Sequence, residues 1–551
     1  MNFAYIALSF LAPMARAFEN ATKDPMAAQR RALLEYLCRN RNTEYGRKYG
    51  FAGILSIGDY RKRVPLSDCE TMRPYLDRMA KGEDNILVSD KVLFFGLTSG
   101  TTSKPKFIPT TGYSESKKAR LTSLWSYYIS RDHPNVTDGR ILAIVSPEVT
   151  GHTEGGIPYG AETGYGYRGL PGIIRGLYCL PHAVFEITDY DARYYTILRI
   201  GMAHNVTDIA TLNPNTLVLL CQKIAGWQDG LISDIEKGAL SGKLNIDGAI
   251  RKKIEKGLSP DPERAAELRR ILKEKGELLP KYFWPELALI ECWKGSTMRL
   301  YLDELGRYFG NVPTRDMGCL STEARSSISM SDTGAEGVLA IETNFYEFIP
   351  KENMGKPDKK ALLCDELEKG REYFIVVTTP GGLYRYNIDD IVRVDGFFNK
   401  TPLIEFVQKG MSATSLAGEK LYESQLNDAV NIAARKLKLF IEFFLAVAKT
   451  STPPRYEFLT EFSGSVGHGQ KLAFLRAIEE ELPRQNEEYG FWREAKGLGA
   501  PVLKVVRAGE FEKYRKKRIS QGALEGQFKL LELTLDQDFD KNFVIEEEIS
   551  L

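Results

Sequence analysis

The chain has 551 residues, with 74 Lys or Arg against 73 Asp or Glu and a formal net charge of +1. That length is too great for one hydrophobic core and predicts two or more domains. A charge so near zero excludes a global field that would draw the protein onto nucleic acid or an anionic membrane.

The first predicted element is apolar, Phe3 to Phe18. It is too short to span a bilayer and no positive charge precedes it, so it reads as an opening core helix. No later stretch reaches a membrane-spanning length of apolar residues, and a soluble protein is expected. The seven cysteines are scattered without metal-ligand spacing, which favours a reducing, cytoplasmic setting. Pro25 to about Gly50 carries helical apolar spacing. Val92-Leu93-Phe94-Phe95 is a buried strand ending in Gly96, and Lys117 to Ser130 is a helix. Ile141 to Val145 is a strand, followed by a Gly-rich region from Gly151 to Gly172. Asp208 to Thr211 and Leu217 to Cys221 continue the alternation, and Ile232 to Lys281 is charged and mostly helical. Leu287 to Cys292 is a further strand. Strands alternating with helices over some four hundred residues predict an α/β architecture. Beyond Lys409 the pattern becomes helix (Glu423 to Lys438), strands (Phe440 to Ala448, Tyr456 to Phe462), helix (Lys471 to Glu481) and strand (Val502 to Val506). This is a smaller α+β unit, and the boundary is placed at Gln408-Lys409-Gly410, giving domains 1–408 and 409–551.

Four motifs carry the chemistry. Thr98-Ser99-Gly100-Thr101-Thr102-Ser103-Lys104-Pro105-Lys106 follows a strand. Its backbone N–H groups, hydroxyls and lysine suit phosphate oxygens, although no Gly-Lys-Ser/Thr closes it as in the Walker loop. In Gly318-Cys319-Leu320-Ser321-Thr322-Glu323 a hydroxyl sits beside a carboxylate. The pair suits an α-phosphate with Mg²⁺, and equally a helix N-cap. Gly382 to Val394 mixes aromatic, acidic and β-branched residues. An Asp there suits ribose hydroxyls, and an edge strand with surface charge explains the run as well. Ser520 to Lys529 puts a lysine after a Gly-containing turn.

In this order, the four motifs resemble the auxin-responsive family of acyl acid amido synthetases, within the adenylate-forming superfamily. Thr43-Glu44-Tyr45-Gly46-Arg47, Arg63-Val64-Pro65-Leu66, the Gly-Gly-Ile-Pro at 155–158 and Ala508-Gly509-Glu510-Phe511 add to the likeness. The resemblance implies a large adenylation domain with mixed sheets and packed helices, and a mobile α+β C-terminal domain. It implies that Ser99, Gly100, Thr101, Thr102 and Lys106 handle the β- and γ-phosphates of ATP. By the same resemblance Thr322 meets the α-phosphate, Glu323 holds Mg²⁺, Asp390 grips the ribose and Gly295-Ser296 lines the adenine slot. Lys529 is the mobile-domain lysine that joins Lys106 in catalysis of adenylation. The implied partners are a small carboxylic acid and an amino acid, with no nucleic acid and no membrane; the oligomeric state stays open and a monomer suffices.

Three positions depart from the family pattern. Cys319 replaces a usual tyrosine, Asp389 a glycine, and Gln408 an arginine. No residue distinguishes an amine acceptor from coenzyme A, and the departures leave a non-catalytic adenylate-binding relative open. The histidines show no metal spacing, His152 alone suggesting substrate contact. Lys513 to Arg518 reads as a solvated helix face. Leu124, Trp125 and Tyr128 fit either an acyl pocket or core packing.

Overall fold

The computed structural model describes residues 3–98, 106–295, 298–354, 356, 359–410, 413–414, 416–417, 419, 421–451, 453–494, 497–521 and 532–551. It divides into two compact units, one of Met1–Gly295 with Leu305–Phe406, the other of Ser296–Glu304 with Val407–Leu551.

Three sheets build the first unit. In the first, β1 (Val92–Thr98) pairs antiparallel with β2 (Lys106–Thr111) and parallel with β5 (Pro158–Gly160), which pairs in turn with β4 (Gly151–His152). β1 does not end at Gly96: the glycine pairs with Ile108 on one side and Gly160 on the other. Pro109 is tolerated because β2 is an edge strand, where a missing N–H breaks no inner ladder.

The second sheet is wholly parallel, in the order β3 (Arg140–Ile144), β6 (Val206–Thr211), β7 (Leu289–Glu291), β8 (Thr314–Arg315). Here the expected alternation of strand and helix is realised, with the helix Pro214–Lys237 between β6 and β7. The third sheet has six strands in the order β11 (Phe345–Pro350), β12 (Glu372–Thr378), β13 (Tyr386–Phe398), β14 (Thr401–Lys409), β10 (Gly337–Leu339), β9 (Ser327–Ile328). β13 is therefore an interior strand. Its register with β12 shifts between Phe374 and Val376, which pair with Ile391 and Asn387, leaving Ile388–Asp390 on a bulge.

The first helices dock on this third sheet through polar side chains as well as apolar ones. Gln29, buried in the helix Pro25–Arg39, donates to the Ile341 and Asn344 carbonyls, both at 2.7 Å, and accepts from Tyr346 N–H at 2.7 Å. Tyr36 donates to the Thr343 carbonyl at 2.5 Å. Arg385 grips buried Glu347 through Nε and Nη2 at 2.7 and 2.8 Å and reaches the Val64 carbonyl at 2.8 Å. The core joins Phe18, Leu33 and Leu37 to Tyr346, Phe348 and Val377. The N-terminal segment thus is a core helix, Phe3–Ala21.

In the second unit β15 (Ala413–Thr414) pairs with β16 (Leu421–Tyr422). A five-stranded sheet follows, ordered β20 (Leu533–Thr534), β17 (Ile441–Lys449), β18 (Arg455–Phe462), β19 (Val502–Val506), β21 (Ile545–Ser550). The helices Glu423–Leu437 and His468–Gln485 contribute Leu426, Val430, Leu475 and Ile478 to its core. Tyr301 donates to the Glu442 carbonyl at 3.3 Å, and Asp303 pairs with Arg435 at 3.1 Å, so residues 298–304 belong to this unit by contact. No described helix is long and apolar enough to cross a membrane.

Candidate functional site

The loop from Asp316 to Arg325 is shaped by close backbone approach. Gly318 has φ +81°, and a Cβ there would lie 2.4 Å from the Ser327 carbonyl oxygen. Cys319 N–H donates to Ser327 Oγ at 2.9 Å. Ser321 Oγ accepts from Ala324 N–H at 3.2 Å as an N-cap would, yet no helix follows. What the cap geometry secures is a turn that presents Thr322 and Glu323.

Thr322 presses on β1. A Cβ added to Gly96 would stand 2.6 Å from Thr322 Cγ2 and 3.0 Å from Glu162 Cγ, so the glycine is what lets the loop reach the strand. The Thr322 hydroxyl donates to the Leu97 carbonyl at 3.3 Å. Donation to a phosphate oxygen requires that proton to turn away from Leu97. Glu323 is buried beside Tyr386, whose phenol is held far above its ordinary value by burial and then by the Glu323 charge.

Asp390 lies on the β13 bulge, a device that re-aims a side chain out of a ladder. The residue before it, Asp389, has φ +64° and accordingly adopts the left-handed conformation that glycine takes without strain. The Cys319 thiol is pushed up by burial and by the carboxylates of Asp316, Asp390 and Glu405, which places all four groups in one corner. Burial raises Asp316 to about 7 even though it accepts from the Lys294 and Gly318 N–H groups at 2.7 and 2.6 Å. Gly295 runs against β14, where a Cβ would be 3.3 Å from the Phe406 carbonyl oxygen and 3.5 Å from Glu405 Oε1. Glu405 itself is held by Arg393 at 2.5 Å.

Lys106 starts β2, opposite Thr98, and its charge reaches Glu70 in the first turn of the helix Cys69–Ala80. That helix packs on both β2 and β13. One unit thus holds Lys106, Gly295, Thr322, Glu323 and Asp390, with Thr322 against β1 and Gly295 against β14. Ser99, Gly100, Thr101, Thr102, Ser296 and Lys529 lie outside the described residues. Among the described residues no group of three or more His, Cys, Asp or Glu is placed to hold a metal.

Other sequence expectations resolve plainly. Leu124, Trp125 and Tyr128 are in the core, with Trp125 the least enclosed at 7% exposure. His152 is exposed on β4, while His133 bonds Asp332 at 2.8 Å and His182 bonds Glu186 at 3.2 Å. Gln408 is buried, donating to the Gly410 carbonyl at 3.0 Å and accepting from Ser424 N–H at 3.2 Å, a use of its amide that a guanidinium would not reproduce. In the basic cluster Arg515 is buried and pairs with Glu512 at 2.9 Å, so that face is only partly solvated.

Two clusters were not legible from the sequence. Lys118 bridges Glu162 and Glu115, the latter at 3.5 Å, and Thr110 donates to Glu162 at 3.3 Å. Burial raises Glu115, while its two carboxylates raise Lys118 against the opposing effect of burial. Arg325 stacks on Trp125, 5.1 Å from the ring centroid, and donates from Nη1 to Thr122 Oγ1 at 3.1 Å.

By fold the chain is similar to solved proteins of two kinds. A solved acyl acid amido synthetase, GH3.15, superposes with a TM-score of 0.86 over 100% of this chain and 98% of that one at 24% identity. A 2-hydroxyisobutyryl-CoA ligase in its postadenylation state superposes with a TM-score of 0.50 over 95% and 91% at 12% identity. The chain belongs to the GH3 family: the models of its N-terminal, central and C-terminal domains match residues 14–314, 337–409 and 424–538. Similar proteins include a jasmonoyl–L-amino acid synthetase, GH3.5, of Oryza sativa subsp. japonica, 27% identical over 93% of each chain. An indole-3-acetic acid-amido synthetase, GH3.3, of Arabidopsis thaliana is 26% identical over 94% of this chain and 90% of its own. The family resemblance carried by the motifs is borne out.

Proposed function

We propose that this chain is an ATP-dependent acyl acid amido synthetase: it activates a small carboxylic acid as an acyl-adenylate and transfers the acyl group to the amine of an amino acid. The observation that carries this reading is the loop Asp316–Arg325, which sets Thr322 against β1 and puts Cys319 in the field of Asp390 and of Glu405, the carboxylate beside Gly295. It is supported by relatives, named as amido synthetases, that align over more than nine-tenths of the chain.

The first half-reaction brings two anions together, so it needs charge neutralisation and alignment. Lys106 faces the β- and γ-phosphates with Ser99, Gly100, Thr101 and Thr102; Asp390 accepts from the ribose hydroxyls; Gly295 and Ser296 leave the adenine flat space. Glu323 is a buried carboxylate at the loop. That suits Mg²⁺, which takes one or two carboxylates and completes its shell with phosphate oxygens and water. When bound, the ion supplies charge neutralisation to the phosphates. Lys529, carried by the smaller unit, supplies the last positive charge to the developing pentavalent phosphorus. Rotation about Gln408-Lys409-Gly410 then exchanges that lysine for the acceptor; Gly410, with φ +62°, supplies a pivot of unrestricted backbone. The amine attacks the acyl carbonyl and AMP leaves.

ATP–pyrophosphate exchange across a panel of carboxylic acids tests the first half without the acceptor. Adding mixed amino acids or coenzyme A to a responsive acid then separates amide from thioester formation. Exchange is expected to need both ATP and an acid, and to fall by about two orders of magnitude in Lys529→Ala. Undiminished exchange in that variant removes Lys529 from the reaction.

A further inference from the structure

Two residues beyond Glu323, the chain commits a charge that nothing described neutralises. Arg325 Nε and Nη2 are both shielded from solvent and have no hydrogen-bond partner among the described residues, and Arg325 makes no ion pair there. Its one hydrogen bond, from Nη1 to Thr122, leaves the side-on pair of donors empty. That pair is the one with which Arg39 grips Asp90 (2.7 and 2.7 Å) and Arg385 grips Glu347 (2.7 and 2.8 Å). Its geometry matches a carboxylate, and two shielded guanidinium N–H donors without an acceptor among the described residues are costly enough to ask for an anion.

The surroundings are polar as well. Trp125 Nε1 and Asp208 Oδ1 are buried without partners among the described residues. Asp208 and Glu291, on neighbouring strands β6 and β7, hydrogen-bond to each other, which requires a proton between them; Glu291 is the acid whose field Arg325 feels. Burial raises both carboxyls, so they do not discharge Arg325 as a pair of anions would.

Position gives the direction. Lys118, Thr122 and Trp125 share one stripe of the helix Gly112–Asp132 at i, i+4 and i+7. The Lys118 end meets Glu162, which touches Gly96 beside Thr322; the Thr122–Trp125 end holds Arg325. Seven residues of helix rise about 10 Å, the reach of one ring or a short chain. Resting on the reaction proposed above, we infer that Arg325 binds a second carboxylate on the acyl acid, so that the acids this chain activates carry a carboxylate at the end remote from the reacting one.

Benzene-1,4-dicarboxylate and benzoate are suitable probes, each followed by isothermal titration and by pyrophosphate exchange. The diacid is expected to bind wild type at least tenfold more tightly. Arg325→Met should lose at least tenfold for the diacid and stay within twofold for benzoate. Arg325→Lys, a charge without a fork, should recover only part. Trp125→Phe, which keeps the ring and loses the indole N–H, serves if the Met variant does not fold, and should weaken the diacid alone. Equal losses for both probes would assign Arg325 to the reacting carboxylate; a change confined to the amino acid KM would assign it to the acceptor; unchanged binding of both would leave it structural. Each of these overturns the inference. Arg325-dependent diacid binding without exchange sinks the proposed reaction and leaves the second-carboxylate site standing.

Discussion

Asp389 shows how one residue holds a conformation that glycine adopts without strain. Its φ of +64° costs an L-residue about 1–2 kcal/mol, and glycine at the same place gives back about 0.5–1 kcal/mol of chain entropy. Asp389→Gly is therefore expected to be neutral to slightly stabilising, by about 0.5 kcal/mol, in a urea titration followed by fluorescence. Gly96 is the opposite case: a methyl group would overlap Thr322 and Glu162. Gly96→Ala should displace the Thr322–Glu323 turn and lower exchange by roughly 100-fold, the usual consequence of a misplacement near 1 Å. Asp316 sets a pH dependence. Its carboxyl titrates near 4 when unfolded and at about 7 when folded, because burial disfavours the anion. The folded chain thus holds that proton over a window in which the unfolded chain has lost it, and stability falls as pH rises from about 4 to about 7. Asp316→Asn should flatten this slope in urea midpoints measured between pH 5 and 8; a slope identical to wild type would show that Asp316 is not its source.

Elements that depend on one periodicity were legible in the sequence; those that depend on distant partners were not. The strand Val502–Val506 and the helix from Glu423 appear where local apolar spacing put them. The strand at Val92 runs two residues further than expected, because Gly96 pairs on both sides and nothing local announces that. β13 carries surface-like charges and is nonetheless interior, since its bulge releases Asp389 and Asp390 from the ladder. Ser99 to Thr102, read in the sequence as a phosphate-binding loop, lie outside the described residues. Arg325 was not legible, because its meaning lies in partners it lacks. The Arg385–Glu347 pair is likewise invisible in sequence, 38 residues apart and buried. Removing Arg385 leaves Glu347 with Arg61 alone, at 3.2 Å, so Arg385→Met should destabilise the first unit by less than the roughly 3–5 kcal/mol of a fully stranded buried charge. Changing both residues to apolar ones should cost less than changing either alone, a pattern measurable as coupling in a double-mutant cycle.

At the scale of the whole chain, the second unit is discontinuous in sequence. Residues 298–304 belong with Val407–Leu551, held by Tyr301 on the Glu442 carbonyl and by Asp303 on Arg435. A fragment that begins at Val407 is accordingly expected to melt below the corresponding transition of the full protein. Adding the peptide 296–304 in trans, or fusing it by a linker, should raise that transition, whereas an unchanged melting temperature would show the segment to be dispensable.

The stitching of Gln29 to residues 341–346 also has a consequence for the birth of the protein. A ribosome extending the chain by about 5–20 residues each second needs on the order of 15–60 s to supply those partners. Throughout that interval the first helices have emerged with an amide and an apolar face that only later synthesis can cover. The nascent segment is then a client for chaperones, and slow translation through this stretch should lower the yield of folded enzyme more than the same delay placed after Tyr346.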